Sequence, residues 1–582
     1  MRLIFTHLRR HGSAVTLAIL IKLAGTLCEL ALPSILEHII DVVVPLGQLG
    51  PVIGWGALMF AAAWLCRTLN VAANVRAVDN AHRVSFEIRQ ELFEKTIHLD
   101  GEAFDRLGLP SLISRMTSDS YNMQSAAQQL QTLCVRAPMM LCGGVLVAAL
   151  MDLPLTCILL CILPFLIAII FFISSKGIPM FRSVQAKLDT IVRIMRENIT
   201  GIRVVKALSK EETERERFAA ANADMTNTDI KAVTIMSTPG PLMQLCLNIG
   251  LSLVVLFGAY RVNQGQILPG VILAFLTYFN MIAMGVMGVS RIFVTMSRAS
   301  ASADRIAGVL ETVEKEPVKA AQESSAEEAH IVFSHVDFSY GAADEVHGDF
   351  AGEERELAVS DITFSLQRGE SLGIIGPTGC GKSTIVSLLM HFYDADAGEI
   401  FVDGRNVASY PKQELRRKFG TVFQNDMIFM DTLEGNIDFG RNLPREQILQ
   451  AVRDSMAEPF IEEIPEGLSY EAAIKGANLS GGQKQRIYVA RALAGRPEIL
   501  ILDDSSSALD YKTDSAMRGA ILKDYPESTL ILIAQRVSSV MNLDHILVLD
   551  NGKCIGYGTH GELLESCPAY REIYQVQMGS ME

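Results

Sequence analysis

The sequence predicts two architectures in series: an α-helical membrane domain of six transmembrane helices over residues 1–306, then an α/β phosphate-loop nucleotide-binding domain over 331–582. Three observations predict this. The long apolar stretches all lie before residue 300, a polar and acidic tract at 307–330 separates the halves, and a strand, glycine-rich loop and helix follow one another near residue 376. Composition agrees, with 49% apolar and 20% charged residues, a modest charge content for a soluble chain.

Six apolar stretches, near 14–44, 52–76, 128–151, 154–174, 239–260 and 268–296, are each long enough for a hydrocarbon core about 30 Å thick. The connections near Gln48, Asp152 and Gln264 are short and carry almost no positive charge. Arg2, Arg9 and Arg10 precede the first helix, and the segments at 76–127 and 175–238 are rich in Arg and Lys. The positive-inside rule therefore places both termini and the long segments in the cytoplasm. Those segments keep helical periodicity, which predicts extensions of the membrane helices rather than loops. The apolar run after the basic N-terminus is too long for a cleavable signal peptide. Ten cysteines, most of them in or beside apolar helices, predict no disulfide framework.

The stretch Gly376-Pro377-Thr378-Gly379-Cys380-Gly381-Lys382-Ser383-Thr384 fits the pattern G-x-x-x-x-G-K-S/T. An apolar strand, 371–375, enters it and a helix-forming run leaves it. Glycines let backbone N–H groups wrap phosphates, the helix N-terminus adds positive dipole, Lys382 reaches the outer phosphates, and Ser383 can ligand Mg2+. About a hundred residues downstream comes Leu479-Ser480-Gly481-Gly482-Gln483, and then the apolar strand Ile499-Leu500-Ile501-Leu502 ending in Asp503-Asp504.

Phosphate loop, LSGGQ signature and acidic strand end, in that order, resemble the ATP-binding cassette (ABC) family, and six helices followed by one cassette resemble an exporter-type half-transporter along the whole chain. The resemblance implies ATP and Mg2+ as ligands. It assigns Tyr340 to the adenine, Gln424 and Asp503 with Ser383 to the magnesium site, Ser480, Gly481, Gly482 and Gln483 to a partner's nucleotide, and Ser507-Ala508-Leu509-Asp510 to the dimer interface. It also implies cytoplasmic coupling helices, at 104–108 with 114–119 and at 196–206. The linker and a second acidic tract at 341–356 read as solvated surface, and a net charge of −14 argues against nucleic acid as a partner.

Three positions depart from the family pattern. Asp504 stands where a glutamate normally polarises the attacking water, and Gln535 stands where the switch loop has histidine. Aspartate is shorter by one C–C bond of about 1.5 Å, and a displacement of about 1 Å can cost about 100-fold in rate. Glutamine can hydrogen-bond but cannot take a positive charge. The chain's own site is thus expected to bind ATP and turn over slowly, unless a backbone adjustment makes Asp504 a competent base. The intact signature then implies a heterodimer, in which the partner brings the consensus catalytic residues; the pattern resembles the bacterial heterodimeric multidrug-type exporters of the cell membrane. The third departure is Ile474, near where exporters carry a coupling glutamate.

Charges within apolar helices face a cavity or a partner group. Glu29 is the deepest; it either attracts a cationic amphiphile, or pairs with a neighbouring arginine or helps fix helix packing. Met281, Met284 and Met287 suit either a varied apolar cargo or ordinary packing. Three functions fit: an exporter subunit for hydrophobic or amphipathic compounds, which is favoured, an exporter-shaped importer of a metal chelate, and a non-transporting ATP sensor.

Overall fold

The computed structural model describes residues 1–312, 329–341, 357–505 and 508–579. Most of the expected linker (313–328), most of the acidic tract (342–356) and Ser507 lie outside the described residues. The chain forms two compact units: Met1–Ile97 with Pro110–Thr312, and His98–Leu109 with Val313–Glu582.

In the first unit, six helices are long and apolar enough to cross a membrane among the described residues: Gly12–Leu46, Leu49–His98, Leu109–Met151, Leu153–Thr200, Glu211–Asn263 and Pro269–Leu310. At 1.5 Å per residue the 50-residue second helix is about 75 Å long, more than twice the hydrocarbon thickness. The polar segments that sequence periodicity marks as helix extensions are therefore continuous with the apolar ones. Helix ends follow local chemistry. Gly47, at φ 62°, closes the first helix in a left-handed conformation, and Asp152 caps the fourth by accepting the Leu155 N–H at 2.9 Å. The fourth helix stops at Thr200 before Gly201, and the six-residue turn Ile202–Ala207 follows it.

Several charges in this unit have polar partners within it. Arg136 donates to both carboxylate oxygens of Glu29, at 2.7 and 3.3 Å, so Glu29 is not the lone carboxylate that would draw a cationic cargo. Lys22 donates to the side-chain oxygens of Asn70 and Asn74 at 2.8 and 3.1 Å. Arg261 pairs with Asp152 at 2.9 Å, and Asp41 accepts the Gly270 N–H at 2.6 Å. Paired in this way, Glu29, Lys22, Asp152 and Arg261 recover part of the cost of leaving water.

The second unit is built on ten strands: β1 Ile331–Phe338, β2 Val359–Leu366, β3 Ser371–Ile375, β4 Ala397–Val402, β5 Arg405–Asn406, β6 Phe419–Val422, β7 Ile499–Asp503, β8 Thr529–Ile533, β9 His545–Asp550 and β10 Lys553–Gly558. Their order is β5-β4-β1-β2-β10-β9-β3-β8-β7-β6. The run β9-β3-β8-β7-β6 is wholly parallel. β3, β7 and β8 are buried at every residue, as strands covered on both faces must be, which explains their uninterrupted apolar sequence. In such sheets ligands bind beyond the carboxyl ends of the strands. Here those ends carry the loops after Ile375, Val422, Asp503 and Ile533.

Candidate functional site: the nucleotide cleft

The loop after β3 turns tightly into the helix Lys382–Leu389. Gly381 lies at φ 96°, and a Cβ there would sit 2.6 Å from the Ala358 carbonyl, so only glycine fits. At Gly376 a Cβ would approach the Leu549 carbonyl to 2.2 Å. Cys380 is 3% exposed beneath the loop, and burial pushes its thiol pKa up. Lys382 Nζ donates to the carbonyls of Gly376 and Pro377 at 2.9 and 2.7 Å, which holds the ammonium at the mouth of the loop.

A cleft of about 370 Å³ opens over this loop. It gathers Tyr340, Thr378, Gly379, Gly381, Lys382, Ser383, Thr384, Gln424, Asp503, Asp504 and Gln535, together with Ala358, Ile533 and Ala534, which the sequence did not single out. Gly376, Pro377 and Cys380 belong to the loop but are not among the lining residues. At one end Tyr340 is 44% exposed, stands edge-on to Phe338 at 4.9 Å between centroids, and lies 3.2 Å from the Thr384 hydroxyl. An open ring face beside a phosphate loop is suited to stacking a base.

At the other end Ser383 Oγ donates to Asp503 Oδ2 at 2.7 Å, and Gln424 lines the same wall. Hydroxyl, carboxylate and amide oxygens converging beside a phosphate loop fit Mg2+, a hard cation that takes oxygen ligands. Burial raises the pKa of Asp503, and the neighbouring Asp504 raises it further. Burial also raises that of Asp504, against the pull of Lys382 and Arg536. Asp504 sits in the left-handed region at φ 51°, a conformation that aspartate tolerates better than most residues. Gln535 Nε2 reaches its Oδ2 at 3.4 Å, so the two unusual residues are in contact with each other.

Ser480, Gly481, Gly482 and Gln483 are not part of this cleft. They start the helix Gly481–Ala494, where Ser480 and Gln483 form a capping box that satisfies two N–H groups reciprocally. Behind them is a link that sequence reasoning missed. Gln485 accepts the Ala508 N–H at 2.9 Å and reaches the Asp504 carbonyl at 3.3 Å, tying the signature helix to the acidic strand end and to the following loop. Its adjacency to the signature was the one available signal. Ile474 is 67% exposed, next to Lys475 at φ 56°. Among the described residues, His330, Asp403 and Glu498 also bring ligand atoms within 4.8 Å of one another. Arg368 and Lys418 already pair both carboxylates, which makes that cluster an ion-pair network rather than a metal site.

Family models match both units: "ABC transporter transmembrane region" over residues 15–286 and "ABC transporter" over 359–507. An uncharacterized ABC transporter ATP-binding protein of Mycobacterium tuberculosis (strain CDC 1551 / Oshkosh) is 32% identical, covering 99% of this chain and 98% of that one. The chain belongs to the ABC transporters. The uncharacterized ABC transporter ATP-binding protein YfiB of Bacillus subtilis (strain 168) is also 32% identical to it, over 100% of this chain and 99% of its own length. A solved structure of a bacterial Atm1-family ABC exporter with ATP bound superposes with a TM-score of 0.80 at 22% identity, covering 99% of both chains, which shows the exporter-type fold. This ABC transporter is accordingly a multi-pass membrane protein whose cassette binds ATP and couples its hydrolysis to transport.

Proposed function

We propose that this ABC transporter is one subunit of a heterodimeric bacterial exporter that moves hydrophobic or amphipathic compounds out of the cell. Its own ATP site is degenerate, and its signature completes the partner's productive site. The observation that carries the reading is the contact between Asp504 and Gln535 at the γ-phosphate end of the cleft, beside a capped and complete signature. In this reading Tyr340 stacks the adenine, and residues 376–384 hold the phosphates with Lys382 on the β- and γ-oxygens. Ser383, Asp503 and Gln424 would hold Mg2+, which would supply positive charge to offset that developing on the transferred phosphoryl group. The contact with Gln535 holds the short Asp504 carboxylate, while Gln535 has no proton to give or take.

The domain plan of the reading is a membrane domain at 1–306, a linker at 307–330 and a cassette at 331–582. Basic residues before the first helix support cytoplasmic termini. The internally paired Glu29 and the apolar helices support a cargo that is apolar or amphipathic. Labels at Gln48→Cys and Gln264→Cys in a cysteine-free background are expected to react with an impermeant reagent outside intact cells, and a label at Lys210→Cys to stay protected. The deciding experiment purifies the chain alone and with its partner and compares ATPase rates. Robust ATPase from this chain as a homodimer overturns the degenerate-site reading.

A further inference from the structure

The helix Pro568–Met578, near the end of the chain, docks by one face. Tyr570 is fully buried with its hydroxyl 2.7 Å from His560 Nδ1, and Ile573 and Tyr574 pack against the cassette core. Gln577 follows Ile573 by four residues and Tyr574 by three, so helical spacing puts it on that same face. The docked face therefore ends in an amide, while Val576 beside it is exposed.

That amide closes on the loop after β8 with both of its halves. Gln577 Oε1 accepts the Val537 N–H at 2.7 Å, and Nε2 donates to the Gln535 carbonyl at 2.9 Å. The Val537 N–H opens the short helix Val537–Val540, and Arg536 before it makes no side-chain cap. Gln577 thus satisfies an N–H for which the helix has no partner of its own. One contact needs an acceptor and the other a donor, so an amide serves both where a carboxylate would serve one. The two bonds hold the peptide planes on either side of Arg536. On the other side of Gln535, the Ala534 N–H donates to the Ile374 carbonyl in β3 at 3.2 Å. Between these anchors the Gln535 side chain lines the nucleotide cleft, with Nε2 3.4 Å from Asp504 Oδ2.

Resting on the reading above that the γ-phosphate meets the Asp504–Gln535 end of the cleft, we infer that Gln577 is a positioning residue for Gln535. By fixing the peptide that follows Gln535, it sets the direction in which that side chain is presented, and so how strongly the site prefers ATP to ADP. Gln577 itself touches neither nucleotide nor Asp504; its effect passes through the backbone of the loop. A group that acts only through Gln535 can alter only what Gln535 senses, which is the third phosphate.

The test uses the assembled transporter with the partner's phosphate loop disabled, and measures ATP and ADP affinities at this chain's own site, with Mg2+, by displacement of a fluorescent ATP analogue. Gln577→Ala is expected to weaken ATP about tenfold, the order of one or two lost neutral hydrogen bonds, and to leave ADP within about twofold. Gln577→Glu keeps the acceptor for Val537 and loses the donor; about a threefold loss for ATP alone is expected. Gln535→Ala should match Gln577→Ala, and the double variant should be no worse than either single one. Gln575→Ala, on the same helix, should change neither affinity. A Gln577→Ala protein that keeps its ATP preference while Gln535→Ala loses it, equal weakening of both nucleotides, or additive losses in the double variant overturns the proposal. A Gln535→Ala protein that keeps the preference, or an unsubstituted protein that has none, removes the γ-phosphate reading and the proposal with it.

Discussion

The two ends of the nucleotide cleft differ in how completely the family chemistry is present. At the phosphate-loop end, Gly381 and Gly376 occupy positions where a Cβ would strike backbone, Lys382 is held at the mouth, and Ser383 meets Asp503. At the γ-phosphate end, a shorter carboxylate in a left-handed backbone conformation is in contact with a neutral amide. In the proposed reading, binding and turnover are separable properties of one cleft, and this chain keeps the parts for the first while altering the parts for the second.

The largest expected effect lies outside the cleft. Ser480→Ala or Gly482→Asp should cut ATPase of the assembled transporter about 100-fold or more, comparable to removing the partner's catalytic base. For Gly482 the cause is partly steric, since a Cβ there already meets the Ala508 carbonyl at 3.1 Å. ATPase of the purified complex checks both. Next, Lys382→Ala should weaken ATP binding at this chain's own loop about 10- to 100-fold, from loss of charge-assisted hydrogen bonds to phosphate, measured with the partner's phosphate loop disabled. Unchanged affinity would remove Lys382 from the binding end.

A smaller effect sharpens the contrast. Asp504→Asn should leave most of the ATPase of the assembled transporter. The pair Asp504→Glu with Gln535→His should raise hydrolysis at this site about tenfold or more by restoring reach and a titratable partner. If Asp504→Asn is as damaging as the matching substitution in the partner, the two ends are equally competent and the contrast fails.

The smallest effect concerns pH. Burial raises the pKa of Asp503, so the folded chain holds that proton more tightly than the unfolded chain does. Folding is therefore favoured as pH falls through the window above the ordinary carboxylate value of about 4, and this contribution is lost as pH rises past the folded pKa. Asp503→Asn removes the buried charge. It should raise the melting temperature of the ATP-free protein near neutral pH, with the advantage shrinking as pH is lowered, as scanning fluorimetry would show. A gain independent of pH would mean that the charge is not the cause.

What could be read from the sequence was what is contiguous along the chain. Residues 376–384 and 479–483 are short runs whose meaning depends on local turns and helix starts, and the six apolar stretches needed only length. The contacts that escaped are those that folding alone brings together: Gln485 with Asp504 and Ala508, and Tyr393 with Asp105, 288 residues apart. Glu29 shows the same limit. Its depth in the helix marked it, but only the third helix's Arg136 decides whether it faces cargo or a counter-ion. The departures at Asp504 and Gln535 were legible singly; their mutual contact was not.

Cys380 gives the phosphate loop a chemical clock. Its thiol is covered by the loop, and burial disfavours the thiolate that reacts with electrophiles. A maleimide can therefore modify it only during the moments when residues 376–381 lift away. The rate of alkylation then counts those openings, and nucleotide that closes the loop should slow the count in proportion to its occupancy. An ordinary small residue beneath the glycines thus allows the breathing of this one site to be timed without any substitution, when alkylation of Cys380 is followed on its own peptide by mass spectrometry.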